Sequence, residues 1–308
     1  MIDTTKLFIS QEQAGGSVLD CLPYLTNLSE TYRKESGQTY IAGNAGNLRV
    51  GISAHGISIT GSLPKFYLGT NLHTLNRGDS RRAFEMMADT LHLPIHKATV
   101  SRVDIGHNIM TNYKPGLYYP YLGQSSYYSR LTQPNSISYQ NSLKSKKFYN
   151  KIAESKHNKV AIPEIYEGKH LLRYELSYTQ KLCKQFNQAA ITPSTLTDER
   201  FYMDMYDRWF KEYELIKKIG IPYMDKKKMK TSKGFWKQID AFAIQYLGQE
   251  ALLNLLEEMK AEKGFSTDRN YYRIKKELIE RSSQTLTDEP ELIQELNKKV
   301  ARARQSYR

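Results

Sequence analysis

Apolar and polar residues alternate in short runs through roughly the first two thirds of the chain, and apolar residues recur at helical spacing in the last third. The run Lys6-Leu7-Phe8-Ile9 predicts an opening strand. Residues 47–52 and 56–60 alternate well, and Ser53-Ala54-His55 between them predicts the turn of a hairpin. Residues 61–66 read as a bend. From Arg81 to Leu91, Ala83, Phe84, Met87, Ala88 and Leu91 fall on one helical face, and the helix is expected to end near Leu93-Pro94. Residues 99–109 form a strong strand pattern. Val103, Ile105 and Ile109 point one way, with Arg102, Asp104, Gly106 and Asn108 the other. Further strands are predicted at 136–139, 145–150 and 171–178. Beyond about residue 193 the period changes, and helices are predicted at 202–218, 234–262, 268–281 and 288–304. The last of these ends in the basic run Lys298-Lys299-Val300-Ala301-Arg302-Ala303-Arg304, which is expected to fray. The expectation is an α+β fold: an antiparallel sheet with packed helices over residues 1–192, then a helical region over 193–308.

Charge adds a class of partner. The net charge is +13 with a pI of about 9.4. Such an excess favours a polyanion, since each neutralised phosphate releases counterions. No basic amphipathic helix with a clean apolar face points to a membrane surface, and no apolar run approaches the roughly 20 residues of a span. Tyrosines crowd residues 113–130 beside Lys114 and Arg130, a composition that suits unstacked bases or equally a cap on the sheet. The two cysteines, Cys21 and Cys183, form no metal-binding spacing, and the start of the chain has no signal-peptide pattern. A reducing cytoplasm is the expected location. No Gly-x-x-x-x-Gly-Lys-[Ser/Thr] loop occurs, so ATP chemistry is not expected.

The candidate chemistry centres on residues 147–154. Read as a strand, Lys147, Tyr149 and Lys151 share a face, and flanking cations would lower the cost of forming a phenolate there. One tyrosine among 23 says little alone. The ordered set says more: Arg102-x-Asp104 on one strand, Tyr149-x-Lys151-x-x-Glu154 on another, Arg173-x-Glu175 on a third. Oxygen ligands without His or Cys favour Mg²⁺ or Mn²⁺. Arg102, Lys144, Lys146, Lys147 and Arg173 are the expected DNA contacts.

These blocks resemble those of the rolling-circle replication initiators, with the filamentous-phage initiators nearest and the staphylococcal-type plasmid initiators, which share Tyr-Asn-Lys, related. The phage group also resembles this chain in its Met-Ile-Asp start and in a segment like Gly61-Ser62-Leu63-Pro64-Lys65 before the helix that precedes the Arg-x-Asp strand. The resemblance covers about residues 1–190. It implies a nicking and closing endonuclease domain over 1–192, with Tyr149 the nucleophile and Asp104 and Glu175 metal ligands. Lys151 would orient the phenol or the phosphate, and Glu154 would be a further ligand or would hold Lys151. Asn108 stands where plasmid relatives carry a second acid and offers the metal only a neutral oxygen. His107 faces the other way and reads as structural. No His-hydrophobic-His occurs, which argues against the two-histidine relaxases in their usual form. The implied activity is a sequence-specific nick at origin DNA through a 5′-phosphotyrosine, with a host polymerase and helicase as partners and a possible homodimer. A non-catalytic DNA-binding replicon-control protein and a mobilisation relaxase are the alternatives. In the helical region, Tyr271-Tyr272-Arg273-Ile274-Lys275-Lys276 suits either a DNA contact or a solvated face.

Overall fold

The computed structural model describes residues 1–34, 37–222, 229–282 and 287–306. They divide into two compact units, one of residues 1–217 with 294–308 and one of residues 218–293.

The first unit is built on ten antiparallel strands. In chain order these are β1 (Ile2–Ser10), β2 (Thr26–Arg33), β3 (Gln38–Ala45), β4 (Leu48–Ser53), β5 (Gly56–Ser62), β6 (Thr99–Thr111), β8 (Ser129–Gln133), β9 (Ser136–Gln140), β10 (Lys144–Asn150) and β11 (His170–Tyr178). The short strand β7 (Leu122–Ser125) lies outside this sheet. The spatial order is β2-β3-β4-β5-β1-β6-β11-β10-β9-β8. The predicted hairpin is β4–β5, and its turn closes on Gly56 at φ +141°, where a Cβ would meet the Ile9 carbonyl oxygen at 2.1 Å. Strands β2 and β3 were not legible in the pattern. Strand β2 lies at an edge with residues 26–32 all exposed, so it lacks the alternation of a half-buried strand.

Helix α1 (Gln11–Ala14) follows β1, and α2 (Leu63–Leu68) takes up the predicted bend, capped by the Ser62 hydroxyl. Helix α3 (Arg77–Leu91) begins four residues before the predicted start because Asn76 and Asp79 form a capping box. After α4 (Lys151–His157), α5 (Leu182–Phe186) and α6 (Pro193–Thr197), α7 (Glu199–Glu214) lies against one face of the sheet. It buries Trp209 and Tyr213, and the ring of Tyr174 from β11 lies 4.8 Å from that of Trp209 and 4.4 Å, stacked, from Phe148 of β10. Each such ring pair contributes about 1 kcal/mol beyond its burial. That packing places residues 193–217 with the sheet, whereas the change of period set the expected boundary at 192.

The basic run 298–304, expected to fray, is helical throughout. The last helix continues to Gln305, and its residues 294–305 belong to the first unit. Glu295 accepts from the Tyr118 hydroxyl at 2.5 Å, and Arg304 pairs with Asp207 at 2.7 Å. The tyrosine-rich stretch turns inward: Tyr118 and Tyr119 are buried, and Tyr128 donates to Glu212. Tyr113 and Tyr127 remain exposed.

The second unit is helical: α8 (Ser232–Leu247), α9 (Gln249–Ala261) and α10 (Asp268–Ser282), with α11 (Glu291–Gln305) beginning in it. The single helix predicted for 234–262 is two, broken at Gly248, whose φ of +85° a helix cannot contain. On α10, Tyr271 is buried and hydrogen-bonds Glu257, while Tyr272 is exposed.

Candidate active site

Adjacent strands β6, β11 and β10 bring the three blocks together. Arg173 pairs with Tyr149 on one side and with Asn108 on the other, and Glu175 lies between Lys147 and Gly106. Asp104, Gly106, Asn108, Arg173, Glu175, Lys147 and Tyr149 therefore share one face of the sheet. The opposite face carries Phe148, Tyr174 and His107, whose ring meets Trp209 edge-on at 6.2 Å. Burial holds that imidazole neutral, down to about 3.

Tyr149 donates its phenol proton to Oε1 of Glu175 at 2.9 Å. The Lys147 ammonium lies 5.4 Å from its ring centre, and that of Lys151 lies 6.0 Å away. Lys151 is not on the strand, as the alternation predicted. Asn150 ends β10 and caps α4, its side chain accepting from the Ala153 amide, and Lys151 is the first helical residue. The helix still returns its side chain to the phenol. It also sets Glu154 one turn along, where Oε2 accepts from Lys151 at 2.6 Å while Oε1 accepts from Asn158. In this geometry Glu154 holds Lys151.

The cations do not lower the phenol's pKa. Burial pushes the Tyr149 phenol well up, the Arg173 guanidinium opposes that, and the carboxylates of Glu175 and Asp3 reinforce it. The resting site thus holds a neutral phenol already hydrogen-bonded to an acceptor. Glu175 itself is raised, by burial first and by Asp3 and Asp104, against the pull of Arg173.

The expected DNA contacts divide. Lys147 is exposed beside the phenol. Arg102 is partly exposed and forks onto Asp104, at 2.9 and 2.7 Å. Lys144 and Lys146 are corrected: alternation turns both to the opposite face, where they pair with Glu212. Lys146 is fully buried, with its ammonium 3.9 Å from the Tyr128 ring centre. Arg173 is also corrected. Its buried guanidinium is spent on protein: Nε to Glu175 at 2.5 Å, Nη1 to Asn108 Oδ1 at 2.9 Å and to the Asn71 carbonyl, Nη2 to Asp3 at 2.6 Å.

The four expected metal ligands do not form an ion cage. Asp104 holds Arg102, Glu154 holds Lys151, Glu175 holds Arg173, and the Asn108 oxygen accepts from Arg173. Among the described residues no three His, Cys, Asp or Glu side chains converge to hold an ion. Burial raises the Asp104 carboxyl, opposed by Arg102.

Three features escaped the sequence reading. Asp3 is buried in the central strand and joins Arg173. Gly106 leaves space for that arginine; a glycine inside a strong strand marks such a close approach and was the available signal. A cleft of about 370 Å³ opens at the phenol, and Asn135 and His157 line it beside Lys147, Tyr149 and Glu154. A cleft of about 410 Å³ along α3 and α6 contains none of the candidate residues.

Arg-x-Asp on β6, Arg-x-Glu on β11 and a Tyr-x-Lys-x-x-Glu block that runs from β10 into α4 thus meet around one phenol. The family model Phage_CRI, which describes the N-terminal region of a phage replication-associated protein, matches residues 1–211, and the chain belongs to that family. It is thus a replication initiator of the phage type. A comparison with the curated proteins finds no match. Among the described residues no helix is long and apolar enough to cross a membrane.

Proposed function

We propose that the protein nicks and rejoins one strand of origin DNA, with Tyr149 as nucleophile. The observation that carries this is the 2.9 Å hydrogen bond from the Tyr149 hydroxyl to Glu175, at a cleft that Lys147 lines. A neutral phenol is a weak nucleophile, and a carboxylate in hydrogen-bond contact can take its proton as attack begins. The phenol oxygen bonds to phosphorus, the bond to the 3′ oxygen breaks, Glu175 accepts the phenol proton, and the departing 3′ oxygen takes a proton from water. Lys147 steadies the charge on the phosphate, and buried Lys151, held by Glu154, adds positive charge behind the phenol. The product is a 5′-phosphotyrosine and a free 3′-OH, and the reverse attack rejoins the strand without ATP. The freed 3′-OH would prime a host polymerase, with strand separation left to a host helicase, all in the host cytoplasm.

Mg²⁺ or Mn²⁺ stays in the proposal outside these steps. To hold it, Asp104 and Glu175 would have to release Arg102 and Arg173, and it would then supply positive charge to the phosphate. The test is incubation with supercoiled DNA carrying the replicon's origin, with and without Mg²⁺. Open circles and a denaturant-resistant adduct are expected from the natural protein, and neither from Tyr149→Phe. Origin binding with no open circles under any condition would favour a replicon-control protein. An adduct formed by Tyr149→Phe would remove Tyr149 as nucleophile.

A further inference from the structure

We propose that Asp3 and Arg173 form a positioning clamp, laid across Gly106, that fixes the Glu175 carboxylate against the Tyr149 phenol. This rests on the proposed role of Tyr149. The clamp spans three strands. Arg173 is on β11 and Asp3 on β1, and β6 runs between them. To join Asp3, the guanidinium must cross the backbone of β6, and it does so over Gly106. A Cβ there would lie 2.6 Å from Nη2 and 3.1 Å from Cζ of Arg173, and 3.2 Å from Cγ of Glu175. The backbone at 106 has no positive φ, so space and not conformation calls for glycine.

The far end of the clamp is also a local device. Ile2 pairs with Ile105 and Thr5 with Val103, so Asp3 and Thr4 together oppose the single residue Asp104. Such a bulge re-aims a side chain. Here Asp3 is seated with Oδ2 on Arg173 at 2.6 Å and Oδ1 on the Ser62 hydroxyl at 2.6 Å. Asn108 and the Asn71 carbonyl hold Nη1. The one remaining nitrogen, Nε, grips Oε1 of Glu175, the same oxygen that accepts from Tyr149. Buried as it is, Arg173 touches no substrate and acts only through Glu175. An error of about 1 Å in the acceptor's place costs a factor on the order of 10² in rate.

The test is Gly106→Ala, which displaces the guanidinium and removes no charge. Single-turnover nicking of an origin oligonucleotide is followed at saturating protein, and affinity is measured in a Tyr149→Phe background. Nicking should slow about tenfold to a hundredfold, with affinity within about twofold of the parent. Asp3→Asn, close in shape and still bonded to Ser62, should slow nicking in the same way. Both are assayed below their own unfolding temperatures. The deciding measurement is the double variant with Glu175→Gln: if the clamp acts through Glu175, Gly106→Ala costs little more once that carboxylate is gone. Equal slowing in both backgrounds, or unchanged nicking by Gly106→Ala and Asp3→Asn while Glu175→Gln is slow, overturns the clamp and leaves the nucleophile standing. A Tyr149→Phe protein that still forms adduct overturns the nucleophile instead.

Discussion

The two faces of β10 and β11 both bury charge, and they use it differently. On the face toward α7, Lys144 and Lys146 meet Glu212 beneath Tyr128 and beside the Tyr178 ring. The network is anchored on buried Lys146 and Glu212, beside the aromatic rings of Phe148, Tyr174 and Trp209, and reaches no cleft that the candidate residues line. On the other face, the chain Ser62–Asp3–Arg173–Glu175 ends on the Tyr149 phenol, which opens to a cleft. Closed charge specifies a core. Charge that leads to a reactive oxygen at the edge of a cleft sets up chemistry, and losing it should cost rate more than stability.

The sharpest break of this comparison is Tyr149→Phe. It should lower nicking by about 10³-fold or more, since the covalent path is gone, while origin binding persists. Gel analysis of adduct and filter binding measure the two. Next is Glu175→Gln, which keeps the shape and loses the proton acceptor. A rate loss on the order of 10²–10⁴ is expected in single-turnover nicking, with a small change in unfolding temperature.

Glu212→Ala should do the reverse. It leaves buried Lys146 without its carboxylate and should cost about 3 kcal/mol, read from denaturant unfolding, with nicking near normal in the folded fraction. Burial alone would raise the Glu212 carboxyl, but the hydrogen bond from Lys144 and the charge of Lys146 outweigh it and hold it low. A depressed carboxyl stabilises the fold above its unfolded value of about 4.3, and that stability is lost as pH falls through the lower folded value. Unfolding curves of the natural protein and Glu212→Ala should therefore converge as the pH falls through that lowered value. A large nicking defect in folded Glu212→Ala would break the contrast between the faces.

Lys147→Ala is the mildest. It should weaken origin affinity severalfold, lower the salt slope of binding by about one and slow nicking modestly, because Lys147 is exposed beside the phenol and holds up no part of the core.

Parity along a strand explains much of what could and could not be read. The alternation of β6 placed Asp104 and Asn108 on one face and Ile105 and His107 on the other, and the structure agrees. The same rule, applied to β10, turns Lys144 and Lys146 away from Tyr149. Counting basic residues as DNA contacts ignored it. Lys151 shows the opposite limit. Parity failed there because Asn150 caps a helix, yet the helix returned the ammonium to the phenol. The polar edge strand β2 gave no period to detect, and the break at Gly248 lay inside a continuous apolar pattern.

The α+β class, the order of the blocks, the chemistry of their residue types and the family resemblance could all be read from the residue order, because periodicity and motif spacing are local properties. What the carboxylates and guanidinium do could not. Their partners come from strands up to 170 positions apart, as with Arg173 and Asp3, and only the assembled sheet decides which acid meets which cation. The pKa of the Tyr149 phenol was settled the same way: burial in the folded protein outweighs the neighbouring positive charge that the linear order displays.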